Sequence, residues 1–198
     1  MRQSVIPTVT AVVLLGMIPQ AKANYIVNGG FETGDFSGWT ASGNTSGGIF
    51  VRVAGSPGGY SPHSGTYFAA VGPAGALGFL SQTFSDTLGQ NLEITYYLAS
   101  NGATPNQFET IYDGSTLFDQ SNIPATGSSS PWPYVQYTFD VTATGSDTLT
   151  FGFSDPPSVL AFDDVSVNPI STIPEPISLV AFGTALAGLG FLRRWKHT

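Results

Sequence analysis

The chain has 198 residues, with 24 Gly, 14 Pro, no Cys, and a formal charge of −7 from 13 acidic and 6 basic side chains. That length suits one domain with short extensions, and a hydrophobic fraction of 41% with 14 Phe and 8 Tyr excludes wholesale disorder. Lack of cysteine excludes disulfides, thiolate metal sites and a cysteine nucleophile, and the acidity excludes nucleic acid as a partner, because nothing could neutralise a row of phosphates.

The basic residues are not spread evenly. Arg2, Lys22, Arg193, Arg194 and Lys196 lie at the two ends, leaving Arg52 alone with twelve acids between Asn24 and Ile173. The ends therefore do a different job from the middle. At the N-terminus Arg2 precedes an apolar run at 9–18, and Ala21-Lys22-Ala23 supplies the small-x-small pattern that signal peptidase reads. Ten residues are too few to span a bilayer but suit a signal-peptide core. Residues 1–23 are expected to be a cleaved export signal helix, with the mature chain starting at Asn24.

Between Asn24 and Ile170 no sustained 3.6-residue apolar period occurs. Short β-rich runs stand instead at 49–53, 67–71, 77–84, 92–98, 108–112, 134–141, 148–153 and 160–167. Turn-formers separate them: Ser56-Pro57-Gly58-Gly59, Asn101-Gly102, Asp113-Gly114 and Ser154-Asp155-Pro156-Pro157. Many short antiparallel strands predict an all-β sandwich or jelly roll over residues 24–170. The Ser-rich stretch 127–131 reads as a loop, since strands continue on both sides.

The last segment, 171–198, is tripartite. Pro174-Glu175-Pro176 leads into sixteen uncharged residues, 177–192, and then Arg193-Arg194-Trp195-Lys196. The apolar stretch is expected to be a short transmembrane helix, helped by flanking cations and an interfacial Trp, with the basic cluster inside and the acidic domain outside. The prolines stop the helix from extending upstream and leave the tripeptide extended and accessible.

This tail resembles the PEP-CTERM sorting signal. The resemblance implies recognition by an exosortase, a membrane-embedded cysteine transpeptidase that removes the tail near Pro174, Glu175 and Pro176, in a diderm bacterium that makes exopolysaccharide. It also implies a membrane-inserted precursor and a product at the cell surface or in the matrix. A permanent single-pass anchor is the alternative.

Three phrases in the middle carry a second resemblance: Asn28-Gly29-Gly30-Phe31-Glu32 with Gly38-Trp39, then Pro62-His63-Ser64-Gly65-Thr66-Tyr67, and Phe162-Asp163-Asp164-Val165-Ser166-Val167. They are similar to carbohydrate-binding modules of the galactose-binding-like jelly-roll group. That likeness implies that the first and last strands are neighbours, so Glu32 and Asp163 can meet. With backbone carbonyls of 28–30 they would form a hard oxygen shell suited to structural Ca²⁺. Asp164 is the weaker ligand, as adjacent strand residues face opposite ways. The competing reading has Glu32 capping local amides and Asp163 ending a loop.

Aromatic faces stack on sugar rings, which makes Trp132, fixed between Pro131 and Pro133, its neighbour Tyr134, and Tyr60 the candidate glycan-binding residues. Asn101, Asn106 and Gln107 are candidate partners for sugar hydroxyls. Trp132 could equally pack over a sandwich edge. Trp39 reads as core, and His63 as a structural hydrogen-bonding group rather than a general base. With no Cys, one His in the mature domain and no G-x-S-x-G, a Ser/His/Asp hydrolase lacks support. The reading is a noncatalytic, exported β-sandwich that binds glycan. A purely structural matrix protein and, less well supported, a small glycan-active hydrolase using a carboxylate pair are the alternatives.

Overall fold

The computed structural model describes residues 24–55 and 59–170. The expected signal peptide, the sorting tail and its membrane helix, and Ser56, Pro57 and Gly58 of the first expected turn lie outside the described residues. Ten strands follow one another: β1 (Thr40–Gly43), β2 (Ile49–Val53), β3 (Tyr67–Val71), β4 (Gly78–Ser85), β5 (Asn91–Ala99), β6 (Gln107–Tyr112), β7 (Ser115–Ser121), β8 (Val135–Thr142), β9 (Ser146–Ser154) and β10 (Leu160–Pro169). They form two five-stranded antiparallel sheets, ordered β1-β4-β9-β6-β7 and β2-β3-β10-β5-β8.

Alternating side chains explain the layering. In β5, Leu92, Ile94, Tyr96 and Leu98 are buried while Glu93, Thr95 and Tyr97 on the other face are partly exposed. Facing them across the sandwich are Leu80 and Phe84 of β4, Phe108 of β6, and Leu149, Phe151 and Phe153 of β9. At the centre the Phe151 ring lies 4.6 Å from Phe162 and 5.1 Å from Tyr96. Each such ring contributes on the order of 1.5–3 kcal/mol by leaving water. The buried Tyr96 hydroxyl shares a 2.7 Å hydrogen bond with Thr110, so the core holds no orphaned phenol there.

The eight expected strands form, and two further ones, β1 and β7, were not legible as apolar runs. Both are edge strands. All four β1 residues are exposed, and β7 (sequence STLFDQS) is largely so. β1 touches the core on neither face, and β7 reaches it only through the adjacent Leu117 and Phe118, so neither has an alternation to display. One signal for β7 did exist: Asp113 and Gly114 have φ of 47° and 76°, the two-residue hairpin geometry that an Asp-Gly pair favours.

The outer face of the second sheet is itself partly covered. Phe68, Ala70, Ala99 and Ala161 project outward and form a smaller apolar cluster with Tyr60, over which Trp132, Tyr134 and Val159 pack half-buried. Residues 59–66 and 132–134 thus make a third layer over part of this sheet.

Candidate functional site

The chain enters the domain along β10. Tyr25 N donates to Val167 O (2.9 Å), Val165 N donates to Gly29 O (3.0 Å), and Val167 N donates to Asn24 Oδ1 (2.9 Å). A Cβ on Gly29 would lie 1.9 Å from Val165 O, so only glycine permits this approach. Phe31, at φ 57°, then turns into the core and leaves Glu32 outside.

Glu32 clamps the loop before β3. Its Oε1 accepts from Thr66 N and Tyr67 N (both 2.9 Å) and its Oε2 from Thr66 N (3.1 Å). Gly65, at φ 62°, gives way to this carboxylate, since a Cβ there would fall 2.3 Å from Oε1.

The phrase Phe162-Asp163-Asp164-Val165 carries a β-bulge. Asp163 pairs with Tyr97 of β5, but Ser166 pairs with Thr95, three steps against two, and Asp164 takes up the extra residue at φ 49°. The insertion resets the alternation: Phe162 and Val165 both face the core, while both aspartates meet the 63–64 loop. This corrects the expectation that Asp163 and Asp164 face opposite ways. Fully buried Asp163 accepts from His63 N (2.8 Å) through Oδ2 and from Asp164 N (2.8 Å) through Oδ1. Asp164 accepts from His63 Nδ1 (2.6 Å) and Ser64 Oγ (2.8 Å). Burial, and then the neighbouring Asp164 charge, push Asp163 up to about 7.

Both aspartates and the methylene stem of Glu32 flank Gly30, while the Glu32 carboxylate is turned to the Gly65 loop. A Cβ built on Gly30 would lie 3.2 Å from Asp164 Oδ1, 3.7 Å from Glu32 Cγ and 3.9 Å from Asp163 Oδ1. Every carboxylate oxygen nevertheless already accepts an N–H or O–H, and the carbonyls of Asn28 and Gly29 accept from Phe31 N and Val165 N. Among the described residues no group of three His, Asp or Glu side chains is arranged to hold a metal ion. These residues do not form the preformed six-to-eight-oxygen cage that Ca²⁺ takes.

Directly beside this cluster lies an open pocket of about 370 Å³ on the outer face of the second sheet. Asn24, Gly29 and Gly30 line it from the entering chain, Thr95 and Tyr97 from β5, and Asp164, Val165 and Ser166 from the bulge. The Tyr97 ring stacks on His63 with centroids 3.7 Å apart, and His63 meets Tyr134 edge-on at 5.4 Å. An aromatic ridge therefore runs from the pocket wall to the 131–134 loop.

The expected glycan residues separate on this surface. Tyr134 belongs to the ridge, with its hydroxyl donating to Ser61 O (3.0 Å), and half-buried Trp132 packs nearby over the Tyr60 cluster. Tyr60 does not belong to the exposed surface: it is 1% exposed, and its hydroxyl donates to Val159 O (2.8 Å) and accepts from Asn101 N (2.9 Å). A ring that holds two loops together offers no face to a sugar. Asn106 is likewise buried, bonded to Ala103 O and to Ile123 N and O, while Asn101 is tied to Ser158 and Gln107 to Asp119. Trp39 is core, as expected, with its Nε1 donating to Asn28 O (3.1 Å). His63 is structural, though its side chain bonds to Asp164 rather than to backbone. Sequence reasoning missed Tyr97, Thr95, Ser166 and Asn24. The doublet Tyr96-Tyr97 held the usable signal, because in a strand one of two adjacent rings must point outward.

No family model matches the chain, and no curated protein does. Solved structures share the fold. TmCBM61, determined in complex with beta-1,4-galactotriose, is 22% identical, covering 75% of this chain and 99% of its own, with a TM-score of 0.55. The CBM22-1 xylan-binding domain of Xyn10C from Paenibacillus barcinonensis is 18% identical over 78% of this chain and 99% of its own (TM-score 0.52). The K3 cleaved adhesin domain of Lys-gingipain from Porphyromonas gingivalis is 17% identical over 74% and 98% (TM-score 0.53). At these identities the likeness is one of fold: the described domain is an all-β, two-sheet antiparallel sandwich resembling carbohydrate-binding modules.

Proposed function

We propose that this chain is an exported protein whose sandwich binds glycan without catalysing a reaction, at the cell surface or in an exopolysaccharide matrix. The observation that carries the binding role is the pocket on an outer sheet face, walled by Tyr97 and flanked by the His63 and Tyr134 ridge, with Trp132 in the same loop as Tyr134. Its size and its mixture of aromatic and polar lining suit a small sugar unit. The noncatalytic reading is supported by Asp163: the carboxyl best poised to hold a proton near neutrality is fully buried and does not line the pocket.

Export rests on the sequence of the two ends. In this reading signal peptidase removes residues 1–23, the precursor is held in the membrane by 177–192, and an exosortase acts at Pro174, Glu175 and Pro176 with Arg193 and Arg194 inside. Deleting those three residues should retain the protein in the membrane fraction, and unchanged release would remove the sorting proposal.

A structural Ca²⁺ at Glu32 and Asp163 is a separate proposal, supported only by the approach of both side chains to Gly30, and it would require their present hydrogen bonds to be exchanged for the ion. A rise in melting temperature on adding Ca²⁺, absent in Glu32→Gln, would support it, and no rise would remove it.

The binding role is tested by a glycan array with residues 24–170, which contain all ten strands and both apolar clusters. Binding lost in Tyr97→Ala and Trp132→Ala, with melting unchanged, supports the reading. If no polysaccharide binds, a purely structural matrix role replaces it.

A further inference from the structure

The pocket's charge is one-sided. Asp164 is the one ionisable acid that lines it, and fully buried Asp163 stands behind it, with Oδ1 3.9 Å from where a Gly30 Cβ would lie. Neither Lys nor Arg lines it. Between Asn24 and Ile170 the single such residue is Arg52, which lies over the Phe50 ring at 4.6 Å on β2, the far edge of this sheet. A carboxylated sugar entering here would meet the Asp164 charge at short range, with no Lys or Arg to offset it and only His63, bonded to Asp164 itself, beside it.

Asp164 is also held in place. His63 and Ser64 each fix one of its oxygens, yet its side chain remains about one-quarter exposed and faces the pocket. A carboxylate oxygen that accepts one hydrogen bond keeps a further lone pair. Thr95 and Ser166, both bearing hydroxyls, line the same space, and Ser166 Oγ accepts from Asn168 Nδ2 (3.1 Å) with a further lone pair left. One anion and two neutral acceptors match the three hydrogens of an ammonium group.

We propose that this pocket takes an amino sugar with a free ammonium group, a residue of a partly de-N-acetylated polysaccharide, and that Asp164 reads the charge. The inference rests on the glycan-binding role and names its substrate class. An acetylated amine cannot make the charge-assisted bond, and a uronic acid is repelled.

The test is isothermal titration of the full-length chain in mild detergent at physiological salt with EDTA. The probes are a glucosamine hexamer, an N-acetylglucosamine hexamer and a uronic acid hexamer. The expected result is at least about tenfold tighter binding of the glucosamine hexamer, equivalent to about 1.4 kcal/mol. That preference should fall to within about twofold in Asp164→Asn. Asparagine tolerates positive φ, so the bulge survives this change, and an unchanged melting temperature verifies it. Asp140→Asn, on the exposed face of β8, should leave the preference intact. An equal loss in Asp140→Asn would mean diffuse attraction to an acidic protein and would overturn the proposal.

Equal affinity for the acetylated hexamer, or a preference that survives Asp164→Asn, would also overturn it while leaving glycan binding standing. Uronate binding restored by Ca²⁺, with no amine preference, would replace it with a cation bridge. No binding of any hexamer would overturn it, and the glycan array then decides separately whether the wider reading falls.

Discussion

Asp155 follows directly on β9 and is fully buried, with neither carboxylate oxygen hydrogen-bonded among the described residues. Burial pushes its carboxyl from the usual 3.8 up to about 6, against a smaller opposing effect of the Ser158 amide. The nearby titratable group is Tyr60, which burial keeps neutral over this range by raising it further. The folded state therefore keeps a proton that the unfolded chain releases. Its contribution is full below about pH 3.8 and is lost as pH rises through about 6, so stability falls over that window. At about 1.4 kcal/mol per pH unit the loss comes to about 3 kcal/mol. Replacing Asp155 with Asn removes the titration but keeps the shape. An unpaired buried amide carries its own cost, but one independent of pH, so the informative quantity is the change in the difference between variant and wild type. Urea unfolding followed by tryptophan fluorescence at steps from about pH 4 to 7.5 should show Asp155→Asn gaining about 3 kcal/mol on wild type across the range. Asp163 also titrates here, but it is common to both proteins and cancels. Parallel profiles would refute the argument and mean that the carboxylate finds a partner in solution.

Other perturbations address the scaffold of the site. Gly29→Ala places a methyl 1.9 Å from Val165 O, and should cost about 3 kcal/mol or prevent folding; a melting temperature within about 2 °C of wild type would contradict that. Tyr60→Phe removes the hydroxyl bonded to Val159 O and Asn101 N, and should cost about 1–3 kcal/mol while glycan affinity stays unchanged. Loss of binding at full stability would return Tyr60 to the ligand surface. Glu32→Gln keeps one acceptor for the Thr66 and Tyr67 amides but loses the charge, for about 1–2 kcal/mol. Faster hydrogen exchange at those two amides is the specific readout, and unchanged exchange would deny the clamp.

Residue order alone was enough for the inner strands, since Leu92, Ile94, Tyr96 and Leu98 or Leu149, Phe151 and Phe153 alternate only if one face meets a core. It was enough too for the buried role of Trp39 and for the neutral lining of the sandwich, where charge is scarce. The edge strands β1 and β7 carried no such imprint: β1 is exposed throughout, and β7 meets the core only through the neighbouring Leu117 and Phe118, which do not alternate. Which side Asp164 faces was equally hidden. One inserted residue shifts the parity of everything after it, and the insertion exists only relative to the spacing of Tyr97 and Thr95 on the neighbouring strand.

The fate of Tyr60 and the composition of the pocket lay further out of reach. An aromatic in a glycine-rich loop reads as exposed until another loop, here 155–159, arrives to bury it. The pocket gathers Asn24, Thr95, Tyr97 and Ser166 from three segments far apart in the chain. Local composition determines which residues seek a core, because burial of apolar area acts residue by residue. Which polar side chains share a cavity depends on strand register and loop packing, and those are decided only when the whole sandwich closes.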